Sequence, residues 1–176
     1  ISSIQFAMHY MFENDIILKE FIKNVAQCTA LEGYFIGTCY DGNKVFNMLS
    51  SKNIDESISL FKNGSKIWEI TKKYSSEEYF DDESCIGYAI NVYQESINKT
   101  FREYLVNFKY LTRLMENHGF VLLNNDELKS LNIENSIGSF NELFNKMNGE
   151  IEKNKTFINK IGKSMEMCQA EKTISF

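Results

Sequence analysis

The densest group of chemically useful side chains lies near the start of the chain. The segment Gln5-Phe-Ala-Met-His-Tyr-Met-Phe-Glu13 combines an amide, three aromatic rings, an imidazole and a carboxylate. Such a mixture suits a flat heterocycle joined to a polar chain, because aromatic rings stack on the heterocycle while polar groups bond to carbonyl and ribose oxygens. We therefore expect this segment to bind a flat ligand, although any single ring could instead fill the core.

The elements around this segment predict where it must lie. Residues 1–8 are typical of a buried strand, a helical spacing of apolar residues follows to about Cys28, and residues 33–39 predict a second strand. Strand, helix and strand in this order indicate a parallel sheet in an α/β fold. Ligands of such sheets bind beyond the carboxyl ends of the strands, so residues 5–12 and 38–41 are expected to line one site.

The middle of the chain changes to an antiparallel pattern. Residues 58–61, 66–71 and 86–93 alternate apolar and polar side chains, and Asn63-Gly64 is typical of a hairpin turn. We therefore expect antiparallel strands, inserted into the α/β fold at about residues 52–100.

The remaining segments predict helices with a few connecting elements. Helices are expected over residues 44–50 and 101–117, and a strand over 120–123. The acidic run at 77–83 predicts an exposed loop. The rest of the chain predicts a loop at 131–139, weakly amphipathic helical stretches to about Cys168 and the start of a strand at 173–176.

Composition argues against several functional classes. With 176 residues, 43% of them hydrophobic, the chain fits one domain with its own core. The net charge of −5 argues against nonspecific binding along a duplex, which needs many cations. The four cysteines show no C-x-x-C pair and no histidine at ligand spacing, which argues against a zinc site or a disulfide scaffold. Without a signal peptide or an apolar run of ~20 residues, we expect a soluble intracellular protein with no membrane partner.

Three motifs in one order carry a resemblance to a known family. The segment from Gln5 to Glu13 is similar to the Q-F-x-x-H-Y-x-F-E segment of mRNA cap guanine-N7 methyltransferases. Gly33-Tyr-Phe-Ile-Gly-Thr38 resembles the G-G-Y-F-I-G-T strand of that family, and Arg102-Glu-Tyr-Leu-Val106 resembles its P-E-[FY]-L-V segment. The resemblance is greatest to the methyltransferase domain of capping enzymes of large DNA viruses. It implies the C-terminal part of a class I (Rossmann-like) S-adenosylmethionine-dependent methyltransferase, with a mixed, mostly parallel sheet and an antiparallel insertion.

The resemblance also implies roles for individual residues. Gln5 would lie beside the methionine part of S-adenosylmethionine, while Phe6, His9 and Tyr10 would line the cap guanosine pocket. Glu103 would accept hydrogen bonds from guanine N1–H and the exocyclic amine. A carboxylate suits guanine, because its Watson–Crick edge shows two adjacent donors whereas adenine shows an acceptor at N1. Without the motif, Glu103 would be interpreted as an ordinary acidic residue at a helix N-terminus.

The implied reaction needs no catalytic base. Guanine N7 already carries a lone pair, so methyl transfer to it depends on proximity, orientation and electrostatics. His9 is therefore expected to contact the cap and not to remove a proton. His118, at a predicted helix end, is expected to be structural. We predict no residue with an acid–base role and no metal ligand.

The chain departs from the family pattern at three places. Leu31-Glu32-Gly33 replaces Pro-Gly-Gly, and Arg102-Glu103 replaces Pro-Glu, which alters the approach of the carboxylate. Tyr40 stands where a proline commonly touches the cap. Its ring could stack on the cap or reshape the pocket, and we include it among the cap-binding residues.

The family's cofactor loop has no counterpart in the sequence. Its glycine-rich loop and the acidic residue that holds the ribose precede the first strand, and no candidate for either is present. We therefore expect residues 1–176 to be the C-terminal portion of one methyltransferase domain, without the N-terminal cofactor-binding portion and inactive alone. Its partner would be capped RNA (GpppRNA), and upstream guanylyltransferase and triphosphatase domains or a stimulatory subunit could accompany it.

Two other functions stay open. A catalytically inactive stimulatory or cap-binding subunit could share the methyltransferase fold, but it would not need Gln5, His9, Tyr10 and Glu103 together. A small-molecule or protein methyltransferase of the same fold would explain the sheet but not the Phe-x-x-His-Tyr and Arg-Glu-Tyr-Leu-Val segments. The compartment would follow the source: host cytoplasm or virion for a viral protein, and nucleus for a cellular one.

Overall fold

The computed structural model describes residues 1–153, and the side chains of residues 1–150. The chain divides into two compact units, Ile1–Val121 and Leu122–Phe176, and each has its own internal organisation. The predicted helical stretch from residue 154 to about Cys168 and the predicted strand at 173–176 lie outside the described residues. Among those that are described, no helix is both long and apolar enough to cross a membrane.

The first unit opens with strand, helix and strand in the predicted order, although the first strand is shorter than predicted and none of its residues is buried. These are β1 (Ser2–Gln5), a 3-10 helix (Met8–Glu13), α1 (Asp15–Cys28) and β2 (Phe35–Thr38). The two strands pair in parallel, with Gln5 opposite Thr38. Helix α1 begins where the Asn14 side chain accepts the backbone N–H of Ile17 at 3.0 Å, as its N-cap. The parallel unit therefore brings the two predicted site segments to the same sheet edge.

An antiparallel sheet follows the parallel unit. After α2 (Gly42–Met48), four strands pair in sequence order: β3 (Ser57–Lys62), β4 (Ser65–Lys72), β5 (Ala89–Gln94) and β6 (Lys99–Tyr104). Asn63 and Gly64, with φ values of 50° and 81°, form the predicted turn between β3 and β4. The mixture of helices with parallel and antiparallel strands is confirmed. However, the described strands form two separate sheets, the antiparallel one being larger, where we expected one mostly parallel sheet.

Two predictions of secondary structure are wrong. Residues 101–117 do not form one helix, because β6 extends to Tyr104 and α3 (Phe108–Glu116) begins only after Asn107. Pairing of β6 with β5 overrides the helical spacing, which a single sequence cannot reveal. Residues 120–123 form no strand. The Phe120 ring instead contacts the Phe35 ring, with 6.3 Å between centroids.

The core of the first unit fixes the 3-10 helix in place. Met8 and Phe12 are buried on its inner side, and they pack with Leu18 and Ile22 of α1. Burial of one such side chain stabilises the fold by roughly 1.5–3 kcal/mol. Gly37 of β2 makes room for this packing, because a Cβ there would lie only 2.5 Å from the Met8 methyl carbon. The residues between Met8 and Phe12 therefore have a defined orientation.

The second unit contains α4 (Asn125–Ser130) and α5 (Phe140–Lys153) in its described part. Helix α4 begins with a capping box, in which the Asn124 side chain accepts the Glu127 N–H and the Glu127 carboxylate accepts the Asn124 N–H. The segment between the two helices is a loop, as predicted for 131–139. None of the predicted site residues belongs to this unit.

Candidate functional site

The centre of the candidate site is a pair of buried ionisable side chains. His9 comes from the 3-10 helix and is 5% exposed, while Glu103 comes from β6, opposite Ile90 of β5, and is 7% exposed. The His9 Nε2 and Glu103 Oε2 atoms lie 3.6 Å apart. The fold thus brings together two predicted site residues that are far apart in the sequence.

Burial controls the charge of this pair. It lowers the pKa of His9 to about 4 and raises the pKa of Glu103 to about 7, since both charged forms lose hydration. The distance alone would permit an ion pair, but at neutral pH the imidazole is uncharged. We therefore interpret the contact as one between a neutral histidine and a carboxyl group that titrates near neutrality.

The pair contains polar atoms that the protein leaves without hydrogen bonds. His9 Nδ1, His9 Nε2 and Glu103 Oε2 are buried and have no hydrogen-bond partner among the described residues. Each unsatisfied buried polar atom costs about 1–3 kcal/mol. A ligand that supplies donors and an acceptor at this place would recover that free energy, so the geometry favours a binding site.

Aromatic surface lies next to the pair. The Tyr10 ring is 40% exposed and meets the His9 ring edge-on, with 4.3 Å between centroids and 62° between planes. Burial, and secondly the charge of Glu103, raise the pKa of the Tyr10 hydroxyl. Phe6 is 60% exposed, so its ring is accessible to a ligand. An exposed ring beside a buried carboxyl group, as Tyr10 provides, can hold a flat heterocycle by stacking.

Gln5 and Phe6 are held by Thr38 on the neighbouring strand. The Thr38 hydroxyl donates to Gln5 Oε1 at 2.8 Å, and Gln5 Nε2 donates to Ser3 Oγ at 2.9 Å. The Phe6 N–H donates to the Thr38 carbonyl oxygen at 2.9 Å and to its hydroxyl at 3.1 Å. The Gln5 amide and the exposed Phe6 ring are therefore positioned by the carboxyl end of the paired strands β1 and β2.

Tyr40 connects the loop after β2 to the antiparallel sheet. Its hydroxyl accepts hydrogen bonds from Trp68 Nε1 and Gln94 Nε2, each at 3.3 Å. Trp68 and Gln94 are opposite each other on β4 and β5. The sequence did not identify either residue as a partner of Tyr40, because only the pairing of β4 with β5 brings both of them to its hydroxyl.

Backbone hydrogen bonds from two glycines outside the motifs hold the two parts of the site together. The Gly42 N–H donates to the Val106 carbonyl oxygen at 2.9 Å, and a Cβ on Gly42 would lie 2.5 Å from that oxygen. The Gly87 N–H donates to the Phe12 carbonyl oxygen at 2.9 Å. These bonds place the loop after β2 and the 3-10 helix beside the antiparallel strands. A glycine in the sequence gives no sign of such a close approach until its neighbour is known.

Other candidate sites in the described chain are weaker. An open cleft of about 530 Å³ is lined by Asp82, Glu83, Ser84, Tyr110 and Arg113, none of which was predicted as a site residue. No group of three or more His, Cys, Asp or Glu side chains in residues 1–150 could hold a metal ion. Cys28, Cys39 and Cys85 are free thiols. The His9–Glu103 pair therefore remains the centre of the candidate site.

Comparisons with known proteins agree with the sequence motifs. Residues 1–174 match the family described as mRNA (guanine-N(7))-methyltransferase domain. A "Probable mRNA-capping enzyme" of Acanthamoeba polyphaga mimivirus is 32% identical over 128 residues, 69% of this chain and 11% of that protein. An "mRNA cap guanine-N(7) methyltransferase" of Lodderomyces elongisporus is 30% identical over 124 residues, 68% of this chain and 21% of that protein. The aligned part is therefore a small fraction of both relatives.

Proposed function

The chain belongs to the mRNA (guanine-N(7))-methyltransferase domain family, and we propose that it supplies the cap-binding part of an enzyme that methylates N7 of the terminal guanine of GpppRNA. One observation carries the proposal: a buried carboxyl group and a buried neutral imidazole have unsatisfied polar atoms next to the exposed ring of Tyr10. Such a site fits a flat base with hydrogen-bonding edges.

Glu103 is the proposed reader of guanine. Guanine presents two adjacent donors, N1–H and the exocyclic amine, which an ionised carboxylate accepts together. Adenine presents an acceptor at N1, so it would leave the buried carboxylate unpaired and bind less tightly by roughly 1–3 kcal/mol. The negative charge also stabilises the positive charge that guanine gains when N7 is methylated. Glu103 thus contributes to both selection and rate.

His9 is proposed as an uncharged contact to the cap guanosine. Guanine N7 has no proton to lose, so a general base has no task in the reaction. The low pKa of His9, about 4, means that at neutral pH it places no second positive charge beside the base being methylated. One ring nitrogen of a neutral imidazole donates and the other accepts, and the cap guanosine can use either.

The exposed rings are proposed to hold the cap by stacking. Phe6 and Tyr10 lie on either side of His9 along the chain, and both rings are accessible. Tyr40 is proposed to contact the cap with its ring, because Trp68 and Gln94 hold its hydroxyl on the antiparallel sheet. This geometry favours stacking over a polar contact from the Tyr40 hydroxyl.

S-adenosylmethionine is the proposed cofactor, and when bound it would supply the methyl group. The Gln5 amide fits its methionine part, because Gln5 ends β1 and is exposed at the carboxyl end of the parallel strands. The second N–H of Gln5 Nε2 has no partner among the described residues and can donate to a carboxylate. The β1–α1–β2 unit supports the proposal of a class I, Rossmann-like domain.

The proposed partner is capped RNA within a larger capping system. The mimivirus relative is named as a capping enzyme, and the aligned residues are a small part of it. We propose that guanylyltransferase and triphosphatase activities, or a stimulatory subunit, act together with this domain. The protein would then work in host cytoplasm or virion if viral, and in the nucleus if cellular.

The test is methyl transfer by the full polypeptide that carries this chain. Labelled S-adenosylmethionine and GpppRNA are incubated with the wild type, with Glu103→Ala and with Glu116→Ala, a control at an exposed glutamate of α3. We expect label on the RNA, a loss of at least ~100-fold for Glu103→Ala and no change for the control. A folded wild type that binds cofactor and cap but transfers nothing would contradict the enzyme and favour an inactive stimulatory subunit.

A further inference from the structure

Thr38 contacts both sides of the proposed site. It ends β2 directly opposite Gln5, which ends β1. Its hydroxyl lies 2.8 Å from Gln5 Oε1 and 3.1 Å from the Phe6 nitrogen. Gln5 is the proposed cofactor contact and Phe6 a proposed cap contact, so one hydroxyl group touches a residue of each kind.

The three groups form a directional chain of hydrogen bonds. A backbone N–H can only donate, so the Thr38 oxygen accepts from Phe6 and its own proton is donated to Gln5 Oε1. Gln5 Nε2 then points the other way and donates to Ser3 Oγ at 2.9 Å. These hydrogen bonds run from the Phe6 N–H through the Thr38 hydroxyl to Gln5 Oε1. They fix the orientation in which the Gln5 amide is presented to a ligand.

Phe6 needs such support because its backbone is strained. Its φ of 50° lies in the left-handed region, which is sterically unfavourable for a residue with a Cβ. The Phe6 N–H is held in this conformation by two acceptors, and both belong to Thr38. The same conformation leaves the ring exposed. Strain held by specific bonds at a binding residue is typical of a preorganised site.

We propose that the Thr38 hydroxyl is a positioning group that presents Gln5 to the cofactor and Phe6 to the cap at the same time. This inference rests on the proposed function, because it takes its two ligands from there. The proposal requires no contact between Thr38 and either ligand. The hydroxyl acts through its two neighbours, so its loss weakens both binding events together.

The test compares Thr38→Val with Thr38→Ser in the full polypeptide. Valine keeps the shape of threonine without the hydroxyl, and serine keeps the hydroxyl. The dissociation constants of S-adenosylmethionine and of the cap dinucleotide GpppG are measured by titration, separately and then each in the presence of the other. For Thr38→Val we expect both constants to rise about 3–10-fold, as for loss of one hydrogen bond per neighbour. For Thr38→Ser we expect both to stay within about twofold of the wild type.

A matched control separates positioning from general destabilisation. The Thr112 hydroxyl donates to the Phe108 carbonyl oxygen within α3 at 2.8 Å, so Thr112→Val removes an equivalent bond outside the site. We expect this variant to bind both ligands as the wild type does. Equal binding by Thr38→Val and wild type, or equal losses in Thr38→Val and Thr38→Ser, would overturn the role of the hydroxyl.

The same titrations separate this inference from the proposed function. A wild type that binds both ligands without methyl transfer contradicts the enzyme, yet the effect of Thr38→Val on binding still decides the role of the hydroxyl. A wild type that transfers methyl, together with a Thr38→Val variant that binds normally, contradicts only the role of Thr38. A folded wild type that binds neither ligand overturns both proposals.

Discussion

Two buried polar regions of the first unit differ in how well their hydrogen bonds are satisfied. Asn107 is 0% exposed, and its side chain accepts the Tyr110 N–H and donates to the Phe80 carbonyl oxygen and to Asp81. The His9–Glu103 pair is almost as buried, but three of its polar atoms have no hydrogen-bond partner among the described residues. Burial alone therefore does not distinguish a structural polar group from a binding one.

The difference indicates what each region is for. Asn107 caps α3 and donates hydrogen bonds to the acidic loop at residues 77–83, so its bonds stabilise the fold. The His9–Glu103 pair costs free energy in the unliganded fold, which a protein tolerates where a ligand recovers it. The contrast predicts opposite consequences when each region is altered.

The largest expected effect is a loss of methyl transfer without a loss of stability when Glu103 is replaced. Glu103→Gln keeps the size of the side chain but adds a donor that opposes guanine N1–H or its amine. We expect the rate of methyl transfer to GpppRNA to fall about 100-fold, with thermal stability unchanged or higher because a buried carboxyl group is removed. Methyl-transfer kinetics and thermal unfolding of the full polypeptide measure the two quantities.

Asn107→Ala is the opposite half of the same prediction. It removes the helix cap and the donor to the Phe80 carbonyl oxygen, so the free energy of unfolding should fall by about 2–3 kcal/mol. Below the unfolding transition, we expect methyl transfer per folded molecule to stay near the wild-type value. Asn117→Ala at the exposed end of α3 serves as the control. A stable Asn107→Ala variant with lost activity would contradict the contrast.

The pH dependence of cap binding gives the next largest effect. Glu103 has a pKa of about 7, raised by burial, so the carboxylate that accepts guanine's donors forms only as the pH rises through 7. We expect GpppG to bind about tenfold more tightly at pH 8 than at pH 6. Fluorescence titration of GpppG with the full polypeptide measures this, and Glu103→Gln should flatten the profile. An unchanged affinity in the wild type would contradict the assignment of Glu103.

The stability of the fold should respond differently to pH than cap binding does. The raised pKa of Glu103 favours the fold at low pH, and that contribution is lost as the pH rises toward 7. The lowered pKa of His9 has the opposite sign: its contribution is present above the ordinary histidine pKa and is lost as the pH falls toward 4. Between these values the two contributions oppose each other. The affinity for the cap, and not the free energy of unfolding, should therefore change clearly near pH 7.

The same two regions explain how much the sequence could predict. The candidate site residues could be named from the sequence because Gln5, His9 and Tyr10 follow a predicted strand and the motifs match Glu103 to a family position. The strand that carries Glu103 was missed, because pairing of β6 with β5 depends on a distant segment that overrides local spacing. Asn107 was missed for a related reason: its partners Phe80 and Asp81 are close only in the folded chain.

Tyr40 combines features of both regions and gives the smallest expected effect. Its hydroxyl accepts hydrogen bonds from Trp68 and Gln94, just as the Asn107 side chain has its hydrogen bonds satisfied, while the Tyr40 ring is proposed to face the cap. Tyr40→Phe keeps the ring but removes the acceptor for both donors. We expect a loss of stability of about 1 kcal/mol and only a two- to fivefold weaker binding of GpppG, because the ring remains but is less firmly held.

A second substitution decides which feature of Tyr40 matters. Tyr40→Leu removes the ring as well as the hydroxyl, so GpppG should bind more weakly than to Tyr40→Phe if the ring stacks on the cap. Urea unfolding and GpppG titration of both variants separate the two quantities. If both variants lose stability equally and bind GpppG as the wild type does, then Tyr40 belongs with Asn107 as an anchor. The proline-to-tyrosine departure would in that case have reshaped the pocket without adding a cap contact.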